Sequence, residues 1–116
     1  MLRESGRAVD REFNIEALVN PALEIGVDGG RVLLDFAEAL LEVDVLELNR
    51  ARAALAVELG PAAVAAASII AGNFTKNDRI ANGIGIPSEP GVVKQTADFR
   101  ERLGLMKFRS AKNTFG

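Results

Sequence analysis

Pro61-Ala62-Ala63-Val64-Ala65-Ala66-Ala67-Ser68-Ile69-Ile70-Ala71-Gly72-Asn73-Phe74-Thr75 runs from residue 61 to residue 75 without a single charge. Alanine is the strongest helix former, and Pro61 directly after Gly60 gives the glycine-out, proline-in order that separates two helices. The segment from Pro61 to about Asn82 therefore reads as a helix that is apolar on all sides. Such a helix is expected to be buried centrally, and its small residues let neighbours approach closely. The lack of charge predicts contacts on every face, within the chain or between chains.

Upstream the spacing stays helical. Leu33, Phe36, Ala37, Leu40 and Leu41 recur at three- and four-residue steps, with Asp35, Glu38 and Glu42 opposite. Gly29 and Gly30 mark the turn before this stripe. Asp44 is placed to cap the next helix, whose stripe is Leu48, Ala51, Leu55 and Leu59. Nearer the start, Arg11 to Ile25 is moderately periodic but interrupted by Asn20-Pro21, which predicts two short helices or one broken one. Downstream, Gly83 and Gly85 are expected to end the apolar helix, and Pro87-Ser88-Glu89-Pro90 to form a rigid connector. A last amphipathic helix aligns Val92, Thr96, Phe99 and Leu103, with Gly104 as its stop. Leu105 to Gly116 is apolar and basic without clear period and is expected to be an extended, strand-less tail. No stretch shows the two-residue alternation of a half-buried strand. The fold class is all-α. Residues 1–116 are expected to form one helical domain: irregular or short helices over 1–30, core helices over 31–104 and a basic tail over 105–116.

The composition narrows the chemistry. The 116 residues are 48% hydrophobic and 26% charged, with a net charge of -2, the balance of an ordinary globular chain. That charge gives no global pull toward nucleic acid or an anionic membrane. No uncharged apolar run reaches the roughly 18 residues a bilayer span needs. Met1 to Ser5 carries no apolar h-region, so no signal peptide is expected, and the Asn73-Phe74-Thr75 sequon is read as accidental. Cysteine and histidine are both absent. That removes the thiolate nucleophile and the common nucleophile–base pairs, and it fits a cytoplasmic chain. Asp35, Glu38 and Glu42 read as a solvated helix face rather than a paired acid and base. No loop clusters the oxygen ligands that calcium demands. Gly83-Ile84-Gly85 follows a helix, so it reads as a helix stop and not a phosphate cradle. No catalytic, cofactor-binding or metal-binding residue is expected.

Two features remain. From Asp10 to Gly60 acidic residues outnumber basic ones, whereas Lys94 to Lys112 is basic. The tail can be read as docking on an acidic partner or nucleic acid, but the favoured reading is a solvated tail that meets acidic helices of its own or a neighbouring chain. The second feature is a polar cluster, Asn73, Thr75, Asn77, Asp78, Arg79 and Asn82. Arg79 can offer its planar fork of donors to an anion or carboxylate. The favoured alternative pairs it with an acidic residue of a neighbouring helix, where it fixes packing.

At this cluster the sequence resembles a known family. Gly60-Pro61-Ala62-Ala63-Val64, Ala71-Gly72-Asn73-Phe74 and Arg79-Ile80-Ala81-Asn82-Gly83-Ile84-Gly85-Ile86-Pro87 resemble the C-terminal half of the alkylhydroperoxidase-D and carboxymuconolactone-decarboxylase family. Leu33-Leu34-Asp35-Phe36-Ala37-Glu38-Ala39-Leu40 looks like the preceding helix of that half. The resemblance spans Leu33 to Pro87 and implies an orthogonal helical bundle and a homo-oligomer. It also implies that Asn73, Phe74, Arg79 and Asn82 line a pocket or serve packing. The family's peroxidase chemistry resides in a C-x-x-C-x-x-x-H segment that this chain does not contain, so the chain alone is expected to be inactive as a thiol peroxidase. Its decarboxylase relatives also rely on a histidine. Met1-Leu2-Arg3-Glu4-Ser5-Gly6 resembles the charged stretch that follows the family's histidine. Three accounts follow: a non-catalytic oligomeric relative, a fragment of a longer antioxidant enzyme, or a chain completed by another subunit that supplies the cysteines. The rival from another class is a helical protein-interaction module that uses the basic tail. Nucleic-acid binding is not expected, because the helix after Leu59-Gly60-Pro61 has no lysine or arginine until Lys76.

Overall fold

The computed structural model describes residues 12–116, and every regular element among them is helical. Six α-helices follow in order: α1 Gly30–Leu41, α2 Val45–Leu59, α3 Pro61–Ile84, α4 Pro90–Gln95, α5 Ala97–Arg102 and α6 Lys112–Phe115. Short 3-10 turns occupy Ile15–Leu18, Leu105–Lys107 and Arg109–Ala111. The residues group into two compact units, one ending at Gly72 and the other running Asn73–Gly116, so the boundary lies within α3. The expected stretch Met1 to Gly6 lies outside the described residues.

The first unit is built on α1 and α2. Phe36 and Ala39 from α1 meet Ala51 and Leu55 from α2, all four buried, with Val32, Leu33, Leu40 and Leu48 packed around them. Ala63, Val64 and Ala67 bring the start of α3 onto the same core. The cap expected at Asp44 forms: its Oδ1 accepts from the backbone N–H of Leu46 at 2.9 Å and of Glu47 at 3.1 Å. Gly29, at φ 64°, opens α1 in the left-handed region, where a Cβ would also lie 2.7 Å from Leu59 Cδ1. Only glycine fits there without strain. Leu41, expected on the buried stripe, is 67% exposed, because the stripe drifts around the helix and α2 covers only its centre.

Ahead of α1, where two short helices or one broken one were expected over Arg11 to Ile25, the described residues form the single 3-10 turn Ile15–Leu18. Its cap is Asn14, whose side chain accepts from Glu16 N–H at 3.1 Å. Asn20 closes the following turn by accepting from Ala22 N–H, a local hydrogen bond that competes with helix. Arg31 ties this segment to α1: its Nη2 donates to the carbonyls of Ala17 at 3.3 Å and Leu23 at 3.4 Å.

The main correction concerns α3. The helix forms over the expected residues and runs on to Ile84, past Gly83, ending at Gly85 with φ 77°. It is not a buried central helix, however, and none of its residues is buried. Ile69, Ile70, Phe74, Ile80 and Ile84 are each more than half exposed. The reason is geometric. A core of two helices covers one side of a third, and an all-apolar composition does not say which chain covers the others.

In the second unit the expected single amphipathic helix is two. Thr96, at φ -103° and ψ 3°, separates α4 from α5. Its hydroxyl donates to the Val92 carbonyl at 2.7 Å, a back-bond that bends helices. Arg100 Nη1 donates to the Val93 carbonyl, which the break leaves available. Gly104 stops α5 as expected, at φ 66°. The tail is not extended. It folds into two 3-10 turns and α6, and Thr114 Oγ1 accepts from Ser88 N–H at 2.7 Å.

Candidate functional site

Of the residues of the polar cluster, α3 places Asp78 and Asn82 one turn apart on a single helix face. Both line a cleft of about 570 Å³ in the second unit, closed by Ser88 from the connector, Arg100 from α5 and Asn113 and Phe115 from α6. Asn113 Nδ2 donates to Asn82 Oδ1 at 3.5 Å. The other candidates lie elsewhere. Asn73 is exposed and accepts from Lys76 Nζ at 3.0 Å, which keeps it on the helix surface. Phe74 is 56% exposed. Arg79 is exposed and makes no ion pair or hydrogen bond among the described residues, so the expected intrachain partner is not there.

The arginine that lines the cleft is Arg100, not Arg79. It is half-buried, its Nη1 donates to Thr96 Oγ1 at 2.6 Å as well as to the Val93 carbonyl, and its Cζ sits 5.0 Å from the Phe115 ring centroid. An arginine stacked on an aromatic ring and held along one edge is rigid. The only sequence signal for it is the Thr96–Arg100 spacing of four. The rest of its setting comes from Phe115, fifteen residues downstream, which no local pattern connects to it.

The cleft is lined by groups that can hold a polar molecule, among them the Asp78 carboxylate, the Asn82 and Asn113 amides and the Arg100 guanidinium. Its hydroxyls have no imidazole or thiol beside them, because the chain contains neither. Among the described residues no group of three or more carboxylates is arranged to hold a metal ion. No helix among them is long and apolar enough to cross a membrane.

The second candidate is the outer face of α3. Ala62, Ala65, Ala66, Ile69 and Ile70 point away from the core that Ala63, Val64 and Ala67 touch, and all five are exposed. Isoleucines at 72% and 59% exposure, on a helix uncharged from Pro61 to Thr75, form the kind of apolar surface that monomers rarely leave open. The basic side chains of Lys107, Arg109 and Lys112 are also exposed, on the second unit. No family model matches the chain, and no curated protein or solved structure matches it.

Proposed function

We propose that the chain is an alkylhydroperoxidase-D/carboxymuconolactone-decarboxylase-like helical protein without the redox centre, acting in the cytoplasm as a non-catalytic, homo-oligomeric scaffold. The observation that carries the oligomer is the open apolar face of α3. Two of the quoted motifs take forms that support the family reading: the alanine-rich segment is a helix that starts at Pro61, and Gly85, ahead of Ile86-Pro87, ends it in the left-handed region. In this reading the orthogonal bundle is completed by neighbouring copies. Without a thiolate or imidazole the chain turns over no hydroperoxide.

Light scattering on the purified chain, with circular dichroism on the same sample, tests this. A discrete helical oligomer is expected. A molten or aggregating species would mean that the chain needs a second, different subunit, and a folded monomer would remove the scaffold altogether. A second reading, an interaction module that docks through its basic segment, is favoured by the exposure of Lys107, Arg109 and Lys112. Binding to an unrelated acidic protein, lost when these three are replaced by alanine, would support it.

A further inference from the structure

We infer that the cleft of the second unit binds a free α-amino acid with an apolar side chain, its carboxylate on Arg100 and its ammonium on Asp78; this stands apart from the oligomeric reading. Every residue that lines this cleft of about 570 Å³ belongs to Asn73–Gly116, so one compact unit holds the whole site. Two of the lining residues carry charge, Asp78 and Arg100, one of each sign. They do not neutralise each other. Among the described residues Asp78 makes no ion pair or hydrogen bond. Arg100 is held away from it, because Nη1 donates to Thr96 Oγ1 at 2.6 Å and to the Val93 carbonyl, and Cζ lies 5.0 Å from the Phe115 ring centroid.

The donors that remain on Arg100 suit a carboxylate. A guanidinium has two hydrogens on each terminal nitrogen and one on Nε. Both Nη1 hydrogens are taken, by Thr96 and Val93. The edge formed by Nε and Nη2 keeps its donors, two parallel N–H groups at the spacing of a carboxylate's oxygens. The amides add one group of each kind. Asn113 Nδ2 donates to Asn82 Oδ1 at 3.5 Å, which leaves Asn82 Nδ2 to donate to a carboxylate and Asn113 Oδ1 to accept from an ammonium.

The two unpaired charges select the ligand. An anion that meets Arg100 also meets the Asp78 carboxylate, and a simple cation meets the same conflict in reverse. A neutral polar molecule takes water from both charges and returns a counter-charge to neither. A zwitterion satisfies both at once, each through a charge-assisted hydrogen bond. Much of the remaining lining is apolar, with Ala81, Ile86, Leu105 and Phe115. Ile86 is 52% exposed and Phe115 43%, so an apolar side chain that settles on them removes surface from water. The volume falls within the roughly 300–1,000 Å³ of small-molecule sites.

Leucine is the probe, beside N-acetyl-leucine, which keeps the carboxylate and lacks the ammonium, and leucinamide, which keeps the ammonium and lacks the carboxylate. Each is titrated into the isotope-labelled full chain, and backbone amide shifts are followed by NMR. Leucine is expected to move the amides of Asp78 to Ser88 and Ser110 to Phe115 saturably. Each analogue is expected to bind about tenfold more weakly or worse, the loss of one charge-assisted hydrogen bond. Asp78→Asn, at an exposed position, is expected to keep the spectrum of the folded chain and to bind leucine no better than N-acetyl-leucine. N-acetyl-leucine as tight as leucine in the unaltered chain would show a site for an anion or a peptide C-terminus and overturn the inference. Leucinamide as tight as leucine, no saturable shift with leucine, or an undiminished preference for leucine in Asp78→Asn would overturn it too. The solution mass is read separately, so failure here leaves the oligomeric reading intact.

Discussion

Arg79 is the residue whose role differs most between one copy and several. It is exposed and makes no ion pair or hydrogen bond among the described residues, so replacing it costs one copy almost nothing. It stands on the exposed surface of α3, and in the oligomeric reading its partner is a carboxylate of a neighbouring copy. Arg79→Ala is therefore expected to reduce oligomer size or lower the concentration-dependent melting temperature. Unchanged mass and unchanged melting would remove Arg79 from the interface. Asp44 is the opposite case, a purely local device. Its Oδ1 satisfies two of the amide donors that the start of α2 leaves open. Asp44→Ala is expected to destabilise the fold by about 1 kcal/mol, read by chemical denaturation, with no change in assembly. Asp44, Gly85 and Gly104 were all legible in the sequence, because caps and helix stops depend on one residue and its immediate neighbours. Arg100 was not. Its position depends on Thr96 and Phe115 together, and only the first lies within helical reach.

At the scale of the element, the two kinds of helix here answer to different tests. α1 and α2 are amphipathic and bury each other's stripes, with Leu55 fully enclosed between Phe36, Ala39 and Ala51. Leu55→Ala is expected to cost about 2–5 kcal/mol, because the cavity forms in the core that α1 and α2 build together. A loss under 1 kcal/mol in denaturant would mean that this core is looser than its burial implies. α3 contributes little to that core beyond Ala63, Val64 and Ala67. Ile80→Asp on its open face is expected to leave the helical circular dichroism unchanged and to split the oligomer, since an unpaired carboxylate cannot be buried in an apolar seam. An intact oligomer in that variant would place the interface elsewhere. The existence of these helices could be read from periodicity, and the starts of α2 and α3 from Asp44 and Pro61. The exposure of α3 could not, because hydrophobic pattern reports that a face needs covering and says nothing about which chain covers it. The break at Thr96 and the folding of Leu105 to Gly116 into turns were also hidden. The break follows the back-bond of Thr96 to the Val92 carbonyl, which competes with the helix ladder, and the folding of the tail follows contacts between residues far apart in sequence, among them Ser88 with Thr114.

For the whole molecule, the balance of buried and open surface is the governing fact. Five hydrophobic residues are buried among those described, whereas large apolar side chains from Leu18 to Phe115 stay open. Surface of that kind is normal when scattered singly, but on the first half of α3 the exposed Ala62, Ala65, Ala66, Ile69 and Ile70 adjoin one another. The absence of cysteine and histidine sets the chemistry at the same scale, since no thiolate or imidazole can be assembled by folding or by pairing identical copies. The polar cleft around Asn82 and Arg100 adds a place where a small polar molecule fits. Assembly is thus the property on which the account depends. Its most direct test is the solution mass of the purified chain by light scattering. The account predicts a discrete helical species at a whole multiple of 12.3 kDa, and a stable, folded monomer at 12.3 kDa would contradict it.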